Sequence, residues 1–327
     1  MTDYSKRVVN TPKTVFFLLF LGVSFNLLYP YLTLDQSLAQ HVVWALQLPQ
    51  VLTAVFVGSA LSASAAVLQV LLRNTLADPG MIGISSGASL FATFVLLTPL
   101  GQWQYLAAFL PLICFVGALC STLLLYVLAQ RMGFSPVAVI LAGIAISTVF
   151  SAIMAWCYLF ADANQLRDLT FWLMGSLQHT EVGLISLVFI FALPCVWWLY
   201  QRSGELNLLY LGTTQAQLQG VNVTHLTRIA LLVCAILVGL SVSLAGSIAF
   251  VGLLVPHIVR RWVGQDNRQV VLLSAVLGAV LLLCIVTVNT LIGSIALPVS
   301  LLTASIGGPV FIYILLQRQR RAAWVQQ

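Results

Sequence analysis

Apolar runs of about 18 residues or more recur along the chain, each long enough to cross roughly 30 Å of hydrocarbon as a helix. They lack the period-two alternation of barrel strands, and in lipid every backbone polar group must find its partner inside the protein. The runs therefore predict membrane-spanning helices. The clearest cover residues 15–31, 51–72, 81–100, 106–129, 137–160, 182–200, 226–244, 270–290 and 299–316. A shorter apolar piece, 248–259, contains Gly252 and Pro256 and decides between ten crossings and nine.

The charges favour ten. With the N-terminus inside, ten spans put Lys6, Arg7, Lys13, Arg73, Arg131, Arg202, Arg228, Arg260, Arg261, Arg268, Arg318, Arg320 and Arg321 on one side, leaving only Arg167 of the 14 Lys and Arg outside. The positive-inside rule predicts this asymmetry. Nine spans would put Arg318, Arg320 and Arg321 outside. The chain is expected to be a single transmembrane domain over 1–327. Its cytoplasmic parts are an N-terminus (1–13), a loop (205–223) and a C-terminal tail (318–327).

Composition agrees: 61% of residues are hydrophobic and 7% charged, against about 25% charged in soluble domains. The formal charge of +6 records orientation rather than a nucleic-acid surface, because the basic residues are spread over separate segments. No small-residue cleavage site follows the first span, which reads as a retained helix. Cys114, Cys120, Cys157, Cys195, Cys234 and Cys284 all fall within expected spans with no CxxC pair or His cluster. They read as small packing residues, and no metal or resident cofactor is expected.

The energy source is missing from the chain. Asp3, Asp35, Asp78, Asp162, Asp168, Glu181, Glu205 and Asp266 map to loops or termini. The expected spans thus lack the buried carboxylates that ion-coupled carriers use as relays. His257, near a helix end, reads as a packing residue. A phosphate-binding loop needs Gly-x4-Gly-Lys-Ser/Thr, yet the only lysines, Lys6 and Lys13, follow no glycine-rich loop. No HExxH, GxSxG or intramembrane carboxylate pair is present either. The chain is therefore expected to be no enzyme. Driving force has to come from a partner, or the protein is a passive channel or scaffold.

Two loops and one helix carry the remaining signal. Residues 58–66 are almost wholly small, which lets helix backbones approach closely in lipid; Gly80, Gly83 and Gly87 continue the pattern. The turn around Asp78-Pro79-Gly80 stops one span before the next. In the 205–223 loop, Thr213 or Thr214 can cap a short helix that Gly220 ends. A short cytoplasmic helix between two spans suits a soluble partner, though an idle connection has the same spacing.

Residues 72–88 read LRNTLADPGMIGISSGA and closely resemble the signature RNPLADPGLLGVSSGA. That signature belongs to permeases of binding-protein-dependent ABC importers for iron-siderophores, haem and vitamin B12. Further stretches agree in order: LAGIA at 141–145, FWLMGS at 171–176, GSIAFVGLLVPHIVR at 246–260, LPV at 297–299 and TASIGGPVF at 303–311. The likeness covers about residues 45–317. It implies an all-α fold of ten transmembrane helices, like the type II importer of vitamin B12, in the bacterial inner membrane with both termini cytoplasmic. It also implies a second permease subunit around a central path, a periplasmic substrate-binding protein and cytoplasmic ATPase subunits that hold ATP and Mg. Weak similarity between 57–87 and 238–264 fits an inverted repeat, which commonly places the path at its interface.

Residue by residue, 211–221 aligns with the family's ATPase-coupling helix. Gly212, Ala216 and Gly220 match, Leu218 falls within it, and Thr213 stands where an acidic residue is usual. Asn74 and Leu76 match the cytoplasmic gate turn, with Thr75 in place of its proline. Outside, Gln47 and Gln50 replace two arginines that dock the binding protein, Asn289 replaces a third, and Ala296 replaces an acidic residue. Losing these charges removes the usual electrostatic register of docking, which points to weaker polar docking, a heterodimer with the arginines on the second subunit, or a changed binding protein. The heterodimer is the preferred reading. The expected cargo is an iron-siderophore, with vitamin B12 or haem as alternatives.

Overall fold

The computed structural model describes residues 2–98, 109–178, 182–292 and 297–325, and helix in its several forms dominates, with no strand among them. Helix α1 (Thr2–Thr33), α2 (Gln36–Val42) and α3 (Leu48–Leu71) are followed by α4 (Ile84–Leu97), α5 (Leu110–Arg131), α6 (Pro136–Leu159) and α7 (Ala163–Met174). Then come α8 (Val182–Leu211), α9 (Thr213–Leu218), α10 (Val223–Ala245), α11 (Val251–Val263), α12 (Asn267–Ile292) and α13 (Val299–Val325).

Helix α3 is the axis of the bundle. Every side chain from Ala60 to Leu72 is buried, because α8, α10, α11 and α12 surround it. Small residues make this possible. A Cβ added to Gly58 would lie 2.3 Å from the Gly278 carbonyl oxygen of α12, so the two backbones touch. A second crossing joins α4 to α5, where a Cβ on Gly87 would lie 2.3 Å from the Gly117 carbonyl oxygen. In hydrocarbon such close packing drives helix association. Outward faces keep large apolar groups exposed, among them Phe17 and Phe20 on α1, Trp156 on α6, and Phe191 and Trp197 on α8.

Seven of the described helical stretches are long and apolar enough to cross a membrane, including 36–71 as one unit joined through the π-helical turn Val43–Gln47. Helix α4, α11 and the apolar part of α13 are shorter. Several boundaries differ from expectation. The first helix starts at Thr2, ahead of the expected span. The third expected span begins at Ile84 rather than residue 81, since Pro79–Ile82 is a separate 3-10 turn ended by Gly83 at φ 82. The expected span at 248–259 becomes α11 at Val251–Val263, because Gly246 (φ 71) and Phe250 (φ 68) break the chain before it. Most of the expected loop at 205–223 is helical, as α8 continues to Leu211 and α9 follows at Thr213–Leu218. Ala296 and Glu181 lie outside the described residues.

Candidate functional site

The turn expected to act as a cytoplasmic gate grows out of the end of α3. The Arg73 amide donates to the Val70 carbonyl (3.1 Å) and the Asn74 amide to the Gln69 carbonyl (3.1 Å), the paired bonds of a Schellman stop. Arg73 takes the left-handed position at φ 49, a place that ordinarily favours glycine. Asn74 then folds the next residues: its Oδ1 accepts from the Leu76 amide at 2.9 Å, and its carbonyl accepts from the Ala77 amide at 3.0 Å. An Asn side chain can replace a backbone turn in this way, which lets Thr75 stand where proline is usual. Thr75 and Leu76 are half-buried.

Asp78 fastens the far side of the turn, outside the spans. Its Oδ2 accepts from the Gly80 amide at 2.9 Å, and its Oδ1 would lie 2.6 Å from a Cβ on Gly252 of α11. Burial pushes its carboxyl up to about 6, opposed by the Gly80 hydrogen bond. The Gly83 carbonyl then accepts from Ser86 Oγ (2.7 Å) and from Ser121 Oγ of α5 (2.6 Å). Gly143 of α6 approaches so closely that a Cβ there would lie 2.8 Å from the Ile82 Cα. The turn is thus bound to α5, α6 and α11 at once.

Beside it an open cleft of about 370 Å³ is lined by Gly80, Met81, Ile144, Ser147, Thr148 and Ser151. Ile144, Thr148 and Ser151 recur at helical spacing and give α6 one exposed, uncharged, partly hydroxylated face. The sequence reading singled out none of the α6 residues of this cleft as site residues. The stripe was present as spacing, but serines and threonines that pack inside other helices look the same in sequence.

The short helix α9, the expected ATPase contact, is defined by its ends. Gly212 enters at φ 142 and Gly220 leaves at φ 83. Here too the Gly220 amide donates to the Gln217 carbonyl (3.0 Å) and the Val221 amide to the Ala216 carbonyl (3.0 Å), a Schellman stop with glycine in the left-handed place. Ala216 is fully buried. Thr213, Gln217, Leu218 and Gly220 are exposed, and Leu218 is 83% accessible. Thr213 and Arg73 line one small cavity of about 70 Å³ together with Phe134 and Leu209, so α9 and the start of the turn after α3 share a wall.

The three positions expected to dock the binding protein do not form a charged patch. Gln47 is buried with its Oε1 unpartnered among the described residues, and Gln50 is half-buried. Asn289 is committed internally: its Nδ2 donates to the Leu297 carbonyl (3.2 Å) and its Oδ1 accepts from the Leu297 amide (3.1 Å).

One group escaped the sequence reading. Arg260, assigned there to a cytoplasmic segment, is buried in α11. It donates to the Ala66 carbonyl of α3 (3.2 Å) and to Asn267 Oδ1 (3.1 Å), and lies over the Tyr210 ring at 5.9 Å. Asn207 extends the network, accepting from the Asn267 amide at 2.7 Å and donating to Asp266 at 2.8 Å. Hydrogen bonds of this kind are what a buried charge requires.

Several of the described helices are long and apolar enough to cross a membrane, and they pack around α3 with an uncharged, hydroxylated cleft beside the turn that follows it, the architecture of a polytopic membrane protein. The FecCD transport family model matches residues 13–317, and the chain belongs to that family as the permease subunit of an ABC importer, a multi-pass inner-membrane protein. It is 40% identical to the vitamin B12 import system permease protein BtuC of Vibrio cholerae over 284 residues, covering 86% of this chain and 84% of that one. It is 38% identical to the hemin transport system permease protein HmuU of Yersinia pestis over 307 residues, 92% and 91% of the two chains. A solved metal-chelate type ABC transporter in an inward-facing conformation superposes with a TM-score of 0.83 at 29% identity, covering 94% of this chain and 99% of that one.

Proposed function

We propose that this chain carries an iron-siderophore complex through the inner membrane, using ATP and Mg held by a separate ATPase subunit. The observation that supports a bulky, protein-delivered cargo is the uncharged face of Ile144, Ser147, Thr148 and Ser151 beside the gate turn. Fixed charges suit a small ion. A large chelate needs width and hydroxyl groups with which it can exchange hydrogen bonds. Asn74, Thr75 and Leu76 form the cytoplasmic closure, Leu76 supplying bulk without charge. Gly212, Thr213, Ala216, Leu218 and Gly220 shape the ATPase contact, and the shared cavity at Thr213 and Arg73 gives its movement a route to the gate. Both termini face the cytoplasm. A periplasmic binding protein docks near Gln50 on the opposite face, and a second permease subunit, preferably a different chain that supplies the missing arginines, completes the path.

Vitamin B12 or haem is the second reading, favoured by the names of the relatives BtuC and HmuU. Reconstitution with ATPase and binding protein in liposomes tests both. ATP-dependent accumulation of a radiolabelled ferric siderophore is expected. Accumulation of cobalamin or haem instead selects the second reading, and the absence of ATP-dependent uptake of any of them overturns the coupling assignment.

A further inference from the structure

On the membrane face that carries α9, a cavity of about 440 Å³ separates the end of α8 from the start of α10. Its rim holds Arg202, Glu205, Gln219 and His225, and its floor is made by Trp198, Leu226 and Ile229. Trp198 and Ile229 are displaced from the charged groups along the axes of α8 and α10, while Leu208 and Val221 add apolar surface at the rim. Trp198 lies four residues before Arg202 on α8, and Ile229 four residues after His225 on α10, so each is about 6 Å deeper in the bundle. An occupant therefore has to meet charge at its head and follow an apolar wall inward.

The charges narrow its chemistry. Arg202 donates through Nη1 to Glu205 Oε1, and the formal charges of the two lining groups cancel. The rest of the guanidinium fork and the second carboxylate oxygen have further hydrogen-bonding capacity. A neutral rim offering one cationic and one anionic group matches a headgroup that carries both a phosphate and an ammonium. A purely anionic headgroup would leave Glu205 opposed to it. A segment of a soluble ATPase fits the rim but not the floor, which reaches a turn into the span.

We propose that this cavity binds a zwitterionic phospholipid with a primary ammonium, phosphatidylethanolamine in chemistry. Its phosphate meets Arg202, its ammonium meets Glu205, and its glycerol and upper chains lie against Trp198 and Ile229. Gln219 and Gly220, at the end of α9, form another wall of the cavity. The lipid thereby fixes the seat of the contact helix and links headgroup composition to coupling. Naming the leaflet cytoplasmic rests on the orientation proposed above; the binding itself does not.

The assembled transporter, with its ATPase subunits, is placed in nanodiscs of equal phosphatidylethanolamine, phosphatidylglycerol and phosphatidylcholine. Lipid retained after detergent extraction is counted by native mass spectrometry. Preferential retention of phosphatidylethanolamine is expected. Arg202→Ala should lower it about tenfold, the order of one charge-assisted hydrogen bond. Glu205→Gln, nearly isosteric, should shift retention toward phosphatidylglycerol while leaving the melting temperature unchanged. Equal retention of the three lipids, or the same profile in both variants, overturns the proposal. Loss of the retained lipid whenever the ATPase is bound overturns it too and assigns the cavity to that partner. These readouts do not depend on cargo or orientation, so they separate this idea from the transport reading.

Discussion

Gly58 of α3 and Gly278 of α12 meet backbone to backbone: a Cβ on Gly278 would lie 2.2 Å from the Gly58 carbonyl oxygen and 2.1 Å from Ser62 Oγ. No side-chain rotation relieves a clash with a carbonyl, so the helices would have to part. Parting them opens the continuously buried stretch from Ala60 to Leu72. Gly278→Ala should therefore cost about 1–3 kcal/mol, the usual range for an overpacked core. Gly183→Ala is the control, since nothing lies within 4 Å of its added Cβ. Thermal unfolding of purified protein in detergent should show a lower midpoint for Gly278→Ala alone.

Asp78 predicts a pH dependence. Its carboxyl titrates near 6, above the ordinary 3.8, because burial outweighs the Gly80 hydrogen bond. A carboxyl with a raised pKa makes the folded state bind more protons than the unfolded one, so its contribution to stability falls as pH rises. The loss should begin near the ordinary value and be complete just above 6. Asp78→Asn keeps an oxygen for the Gly80 amide and has no proton to lose. It should flatten the dependence of melting temperature on pH between about 4 and 6. Asp78→Ala also removes the cap and should be less stable than Asn throughout, by about 1 kcal/mol.

On α9 the structure separates two substitutions that look alike in sequence. Ala216 is fully buried and Leu218 is 83% accessible. Ala216→Arg would push the helix off its seat and should lower the melting temperature as well as transport. Leu218→Asp should leave the melting temperature unchanged and weaken the ATPase subunit about tenfold, as the loss of one apolar contact at a docking centre does. Titration of ATPase onto permease in nanodiscs measures it. Unchanged affinity for Leu218→Asp would remove α9 from the interface.

The membrane explains why so much of this fold is legible from sequence. Lipid forces each span to be apolar over its whole length, so the segment around residues 182–200 stands out without any tertiary knowledge. Turn chemistry is equally local: the glycine stop at Gly220 follows from a single residue. What escaped depends on neighbours distant in sequence. Helix α4 starts at Ile84 because Gly83 is held left-handed between Ser121 and Gly143. Ala216 faces inward because α9 lies on the bundle, which an isolated six-residue helix does not reveal. Arg260 reads as an orientation signal by composition, yet its partners Ala66 and Asn267 come from two other helices.

The outer face supplies the last prediction. By the resemblance read from sequence, Asn289 and Gln50 stand where arginines are expected, and the two positions are not equivalent. Asn289 exchanges two hydrogen bonds with the backbone of Leu297, fastening the chain just before α13. An arginine has donors but no acceptor, so Asn289→Arg would strand the Leu297 amide and should cost about 1–3 kcal/mol. Gln50 is half-buried at the start of α3. Gln50→Arg should be tolerated and should speed association with a binding protein that carries acidic groups, an effect that fades as salt rises. Stopped-flow association at two ionic strengths, beside melting curves of both variants, separates a rebuilt charge from a broken turn. A Gln50→Arg rate that is unchanged at low salt would mean that the partner carries no acidic group at this position.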